Sequence, residues 1–141
     1  MIIFWRLNVI SMLYALMVFI PMELLTNGSR ITRLTGWNPN VTAIAIGKST
    51  IISVIIFSII IGCLTKPWMN NRKSSFWSVL LCLPYLVLFT FIFASLFPIN
   101  NPADKGGPGD GLLILGLLIL YPLYVLLLNA FSTFSSDEKA V

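Results

Sequence analysis

The segment that decides the fold covers residues 43–64 and reads AIAIGKSTIISVIIFSIIIGCL. It contains one charged residue, Lys48, and is otherwise dominated by isoleucine and other apolar residues. A helix rises 1.5 Å per residue, so a run of roughly 20 residues crosses a hydrocarbon core of about 30 Å. Because lipid cannot satisfy backbone polar groups, this segment is predicted to be a membrane-spanning helix.

The composition of the whole chain agrees with a lipid environment. Its 141 residues are 57% hydrophobic and 10% charged, against roughly 25% charged in a soluble domain, and its mean hydropathy is +0.92. The net charge of +4 comes from cations in short segments beside apolar blocks, where membrane proteins keep them for orientation. The lipid bilayer is therefore the expected partner, and nucleic acid is not.

Three further apolar blocks lie at residues 2–25, 76–97 and 112–131. Residues 43–64 are therefore the second of four blocks in chain order. Each has about the length of a bilayer span, and none alternates polar and apolar residues as an outer-membrane barrel strand does. The sequence predicts an all-α integral membrane protein, a bundle of four transmembrane helices with short loops. Because the connections are too short to hold a second domain, residues 1–141 are predicted to form a single membrane domain.

The orientation of the bundle is predicted from its basic residues. The connection between the second and third blocks carries Lys66, Arg72 and Lys73 and no acidic residue. Cytoplasmic loops are enriched in Lys and Arg, which places both termini in the cytoplasm, although Arg30 and Arg33 in the first connection argue the other way. We expect a location in a bacterial cytoplasmic (inner) membrane.

The tripeptide Gly47-Lys48-Ser49 matches the end of a nucleotide-binding P-loop. That motif requires a further glycine at position 42, which is Thr42 here. The motif also follows a strand in a soluble βαβ unit, whereas these residues lie in an apolar membrane block. The sequence therefore predicts no nucleotide binding.

A candidate ion pair offers a second explanation for Lys48. Glu23 lies near the end of the first block and Lys48 near the start of the second, so antiparallel helices place both in one leaflet. An unpaired charge in lipid costs about 2.5–3.5 kcal/mol on insertion scales. We predict that Glu23 and Lys48 pair or share a small polar vestibule. The alternative is that Lys48 extends alone to the interface while Glu23 meets headgroup water.

One proline falls inside each of the predicted spans at residues 76–97 and 112–131. Pro84 follows Leu83 and precedes Tyr85, and Pro122 follows Tyr121. A proline removes one helical hydrogen bond and can kink a helix. Either the adjacent tyrosine hydroxyls and freed carbonyls form polar spots within the membrane, or the prolines only shape the packing.

Small residues recur one turn apart on the second block. These are Ser49, Ser53, Ser58 and Gly62. Spacing of this kind lets helix backbones approach closely. It predicts helix packing, either within the bundle or against another membrane protein.

The residues of catalytic and metal sites are scarce. The chain has no histidine, and its two cysteines, Cys63 and Cys82, are not spaced as a metal or redox pair. No pair of acidic residues lies near the middle of a span. The sequence predicts no metal, no cofactor and no enzymatic activity.

Two classes of function remain. The first is a protein that acts by protein–protein interaction within the bilayer, such as an accessory subunit or an inhibitor. Immunity proteins against membrane-inserting toxins are similarly small and polytopic. The alternative is a small transporter or channel subunit that uses Glu23 and Lys48 as a polar site. Four helices enclose little pore, so a transporter would require a homo-oligomer. We choose the interaction class.

Overall fold

The structure is helical along the part of the chain that it describes. The computed structural model describes residues 2–68 and 72–137, with side chains at 4–65, 77–78, 80–107 and 109–127. Its helices are α1 (Ile2–Thr26), α2 (Gly28–Thr35), α3 (Pro39–Trp68), α4 (Arg72–Leu96) and α5 (Pro108–Asp137), with a 3₁₀ turn at Pro102–Asp104. No strand occurs within these ranges.

Three helices are long and apolar enough to cross a membrane. The spans are Phe4–Thr26 in α1, Pro39–Thr65 in α3 and Gly109–Leu127 in α5. The apolar part of α4, Leu80–Leu96, is shorter. Within the described residues, the prediction of an all-helical chain with long apolar helices is confirmed, and three of the four predicted spans are found as apolar helices long enough to cross a membrane.

The first connection contains a helix that the sequence analysis did not predict. Residues 26–42 read as a polar loop, but α2 forms over Gly28–Thr35. This helix is strongly amphipathic, because Arg30 and Arg33 alternate with Ile31 and Leu34 at helical spacing. It buries no residue, as expected of a short helix at a membrane surface.

A sharp turn connects α2 to α3. Gly36 adopts a left-handed conformation with φ of 68°, and its N–H donates to the carbonyl of Thr32 at 3.0 Å, which ends α2. Asn38 then accepts a hydrogen bond from the backbone N–H of Asn40 at 3.1 Å. Pro39 begins α3, at the position where a missing N–H costs nothing.

Helix α1 is the centre of the bundle and packs against α3, α4 and α5. Ile10, Tyr14, Val18 and Met22 recur every fourth residue and are all buried, so they form one inward face. Cys82 and Leu86 of α4, Ile61 of α3 and Val125 of α5 complete the same cluster.

The outer helices leave most of their surface uncovered. The apolar window of α1 is 44% buried inside the protein, against 11% for α3 and 6% for α5. Apolar side chains such as Ile59 and Leu112 are 61% and 72% exposed. Helices that are apolar on all sides need lipid or another helix around them.

Replacement of one isoleucine inside the bundle and one outside it tests this arrangement. Ile10 is fully buried and Ile59 is 61% exposed. We expect Ile10→Ala to lower the free energy of unfolding by about 2 kcal/mol, because it leaves a cavity. Ile59→Ala should change it by less than about 0.5 kcal/mol. Circular dichroism monitors the unfolding of both variants in mild detergent. Equal losses of unfolding free energy would contradict the position of α1 at the centre of the bundle.

Candidate functional site

An ion pair joins two connections at one end of the bundle. Arg33 of α2 donates from Nε and Nη2 to the two carboxylate oxygens of Asp104, both at 2.8 Å. This two-bond geometry is the strongest form of an arginine–carboxylate contact. We call this end of the bundle, which holds residues 27–38 and 97–107, the capped end.

Local hydrogen bonds place Asp104 for this contact. The side chain of Asn101 accepts from the backbone N–H of Ala103 at 3.0 Å, and Pro102 begins the 3₁₀ turn. Asp104 closes that turn and is buried, whereas its partner Arg33 is exposed. The hydrogen bond from Arg33 lowers the pKa of the Asp104 carboxyl below its ordinary value.

A second arginine of α2 reaches the end of α4. Arg30 donates from Nη1 to the backbone carbonyl of Phe97 at 3.1 Å. The last carbonyls of a helix have no partner within it, so this bond satisfies a carbonyl at the end of α4. The two arginines of α2 therefore bind different segments of the same distant connection.

A groove opens beside these contacts, between α1, α2 and α4. Its volume is about 480 Å³, and its walls are apolar apart from Glu23, Asn27 and Arg30. We call it the Glu23 groove. Phe19 and Phe93 meet edge to face within it, with ring centroids 5.9 Å apart. Asn27 donates from Nδ2 to Oε2 of Glu23 at 3.0 Å.

The structure does not bring Glu23 and Lys48 together as an ion pair. At this end of the bundle, a described ion pair joins Arg33 to Asp104 instead. Lys48 is exposed, and it is not among the residues that line the Glu23 groove. A Cβ placed on Gly28 would lie 3.4 Å from Ile46, so the start of α2 lies close to α3 there.

The small residues of α3 are found in different surroundings. Ser58 lies between helices: its Oγ is 2.7 Å from the hydroxyl of Tyr124 in α5 and 3.9 Å from the sulfur of Met17 in α1. Ser53 bonds only to the backbone carbonyl of Thr50, and Ser49 is exposed. A Cβ placed on Gly62 would meet none of the described atoms within 4 Å, so no described neighbour approaches it closely.

Tyrosines link the helices below the capped end. Tyr121 donates to the backbone carbonyl of Tyr14, and Tyr85 donates to Oδ1 of Asn8 at 2.6 Å. These are the tyrosines next to Pro122 and Pro84, which lie inside α5 and α4. Both hydroxyls bind polar groups of α1, and neither of these two bonds uses a carbonyl freed by Pro84 or Pro122.

The described residues include no cluster of three His, Cys, Asp or Glu side chains that could hold a metal ion. No family model, curated protein or solved structure matches the chain. The arguments on function therefore rest on the surfaces and contacts described above.

The Arg33–Asp104 pair predicts a defined pH dependence of stability. The folded state lowers the pKa of Asp104, so the pair contributes fully above the ordinary pKa of 3.8 and is lost as the pH falls through the lowered value. We expect Asp104→Asn to melt at a lower temperature than the wild type at pH 7, and the difference to shrink below pH 3.8.

Thermal unfolding in detergent across this pH range measures the difference between the two proteins. Arg33→Gln is the matched change on the partner and should reproduce the result. A difference that stays constant from neutral to acidic pH would show that the Asp104 carboxylate does not act through this pair.

Proposed function

We propose that the chain is a four-span integral membrane protein that acts by binding another membrane protein. The return of the chain to the capped end supports the fourth span. Arg33 follows α1 and Asp104 follows α4, and their atoms lie 2.8 Å apart. Because α3 is long enough to cross the bilayer, α4 must bring the chain back over a similar depth. Its 25 residues extend about 37 Å.

The observation that carries the proposed interaction is the uncovered surface of α5. Only 6% of its apolar window is buried in the protein. A second groove, of about 560 Å³, lies between α5, α3 and the end of α1, and we call it the α5 groove. Its lining includes Val54, Gly116 and Leu120 and no charged residue.

Gly116 makes this groove suitable for a helix of another protein. A Cβ placed on Gly116 would meet nothing within 4 Å, so the bundle itself does not use the space that this glycine leaves. Small residues at helix interfaces in membranes let a second backbone approach closely. We propose that a transmembrane helix of the partner packs along α5 at this position.

An accessory subunit and an immunity-type inhibitor both fit this mode of action. Either needs only an exposed helical face in the membrane. We place the protein in a bacterial cytoplasmic membrane with both termini in the cytoplasm, on the basis of the three cations between α3 and α4. The side chains of Lys66, Arg72 and Lys73 lie outside the part that the structure describes.

Transport remains the second candidate, because the Glu23 groove brings a carboxylate to an apolar cavity. A transport pathway needs polar groups along its length. The groove has three polar residues at one end, and Lys48 is not one of them. We therefore favour interaction over transport.

Photocrosslinking in living cells tests the proposed interaction. A photoreactive amino acid at Leu113 or Leu120 would lie in the α5 groove, where these side chains are 57% and 65% exposed. We expect both positions to give an adduct with one protein of defined mass. An adduct with twice the mass of the chain would identify the partner as a second copy.

Positions on α4 provide the matched control. Val87 and Phe91 are 68% and 70% exposed, yet we assign them to lipid and expect no protein adduct there. Absence of any protein adduct at Leu113 and Leu120, or the same adduct at all four positions, would contradict a specific interaction through α5.

A further inference from the structure

The Glu23 groove combines an apolar surface with a pair of opposite charges, and few ligands match both. Most of its wall is apolar, and Phe19, Phe93 and Phe97 form one side of it. At one end it carries a carboxylate, Glu23, and a guanidinium, Arg30. A ligand that fits both surfaces must have a long apolar part and a headgroup with a positive and a negative charge.

Glu23 and Arg30 both keep hydrogen-bonding positions that could bind a ligand. Within the described residues, Glu23 and Arg30 do not form an ion pair. One oxygen of Glu23 accepts from Asn27, which leaves further acceptor positions on a group that has about four. Arg30 uses Nη1 on the carbonyl of Phe97, and an arginine has five N–H donors in all.

The position of the groove suits a lipid. Glu23 lies in the last turn of α1, and Arg30 lies on α2, the amphipathic helix of the capped end. Leu34, which lines the groove, and Trp37, which follows α2 in the chain, are 67% and 50% exposed, as expected of residues at a membrane interface. The charged end of the groove is therefore near the headgroups, and its aromatic wall extends toward the acyl chains.

We propose that the Glu23 groove binds one aminophospholipid of the phosphatidylethanolamine type. Its phosphate would accept hydrogen bonds from Arg30, and its primary ammonium would donate to Glu23. One acyl chain would lie against Phe19, Phe93 and Phe97. The volume of about 480 Å³ lies within the range of roughly 300–1,000 Å³ of small-molecule sites.

Other common phospholipids match only part of the site. Phosphatidylcholine carries a quaternary ammonium, which has no N–H to donate to Glu23. Phosphatidylglycerol carries neutral hydroxyls in place of the ammonium, so it would donate only a neutral hydrogen bond to Glu23, which is weaker than the bond from an ammonium. The carboxylate is thus the group that selects among headgroups, while Arg30 and the aromatic wall serve all three lipids. This assignment does not depend on the proposed partner of α5.

Native mass spectrometry of the detergent-purified protein tests the assignment. The protein is offered an equimolar mixture of phosphatidylethanolamine, phosphatidylcholine and phosphatidylglycerol with the same acyl chains. We expect one bound lipid per chain and a preference for phosphatidylethanolamine of about tenfold, as one hydrogen bond to a charged group provides. Equal retention of the three lipids by the wild type would overturn the proposal.

Substitutions test whether the preference for phosphatidylethanolamine arises in the Glu23 groove. Glu23→Gln should reduce phosphatidylethanolamine to the level of the other two lipids, and Arg30→Gln should weaken all three. Lys48→Gln removes a charge outside the groove and should change nothing. A preference for phosphatidylethanolamine that survives Glu23→Gln, or that Lys48→Gln abolishes, would show that the lipid binds elsewhere.

A steric pair keeps the test independent of charge and of the Arg30 contact with α4. Ile20 lines the Glu23 groove and Leu117 lines the α5 groove. Ile20→Trp should abolish lipid retention, and Leu117→Trp should preserve it, with circular dichroism showing that both variants are folded. The opposite result, or stronger retention of the cationic detergent dodecyltrimethylammonium than of phosphatidylethanolamine, would contradict the lipid assignment.

Discussion

The ion pair between Arg33 and Asp104 connects the first half of the chain to the second. It joins residues 71 positions apart and holds the first and third connections at one end of the bundle. With that end defined, α1 runs toward it, α3 runs away from it and α4 returns to it. Arg30 adds a second contact, to the end of α4. These two arginine contacts, together with the packing of α2 against α3, hold one wall of the Glu23 groove.

The central place of α1 determines which surfaces are left for other molecules. Because α1 takes most of the packing, α3 and α5 keep faces that the protein does not cover. The two grooves differ in chemistry. The α5 groove lacks charge and suits an apolar helix, whereas the Glu23 groove carries a carboxylate and a guanidinium and suits a zwitterionic lipid. The two proposals therefore concern separate surfaces of one bundle, the first for a protein partner and the second for a lipid.

The sequence predicted the helices well because apolar length is a local property of the chain. The helix α2 was missed, since its pattern of Ile31, Leu34 and two arginines lies in a segment rich in glycine and asparagine. The Arg33–Asp104 contact could not be predicted, because the two residues are 71 positions apart and no local sequence pattern indicates which acidic residue Arg33 would bind. Sequence spacing also could not show that Asn27, one turn after Glu23, would bond its carboxylate.

The account depends most directly on α4 crossing the bilayer. Single cysteines at Ser29, Asn70 and Lys105, in a chain without Cys63 and Cys82, report the side of each connection through a thiol reagent that cannot cross membranes. We predict that intact cells label positions 29 and 105, and that position 70 is labelled only after the membrane is opened. Labelling of positions 70 and 105 from the same side would contradict the four-span arrangement and the orientation built on it.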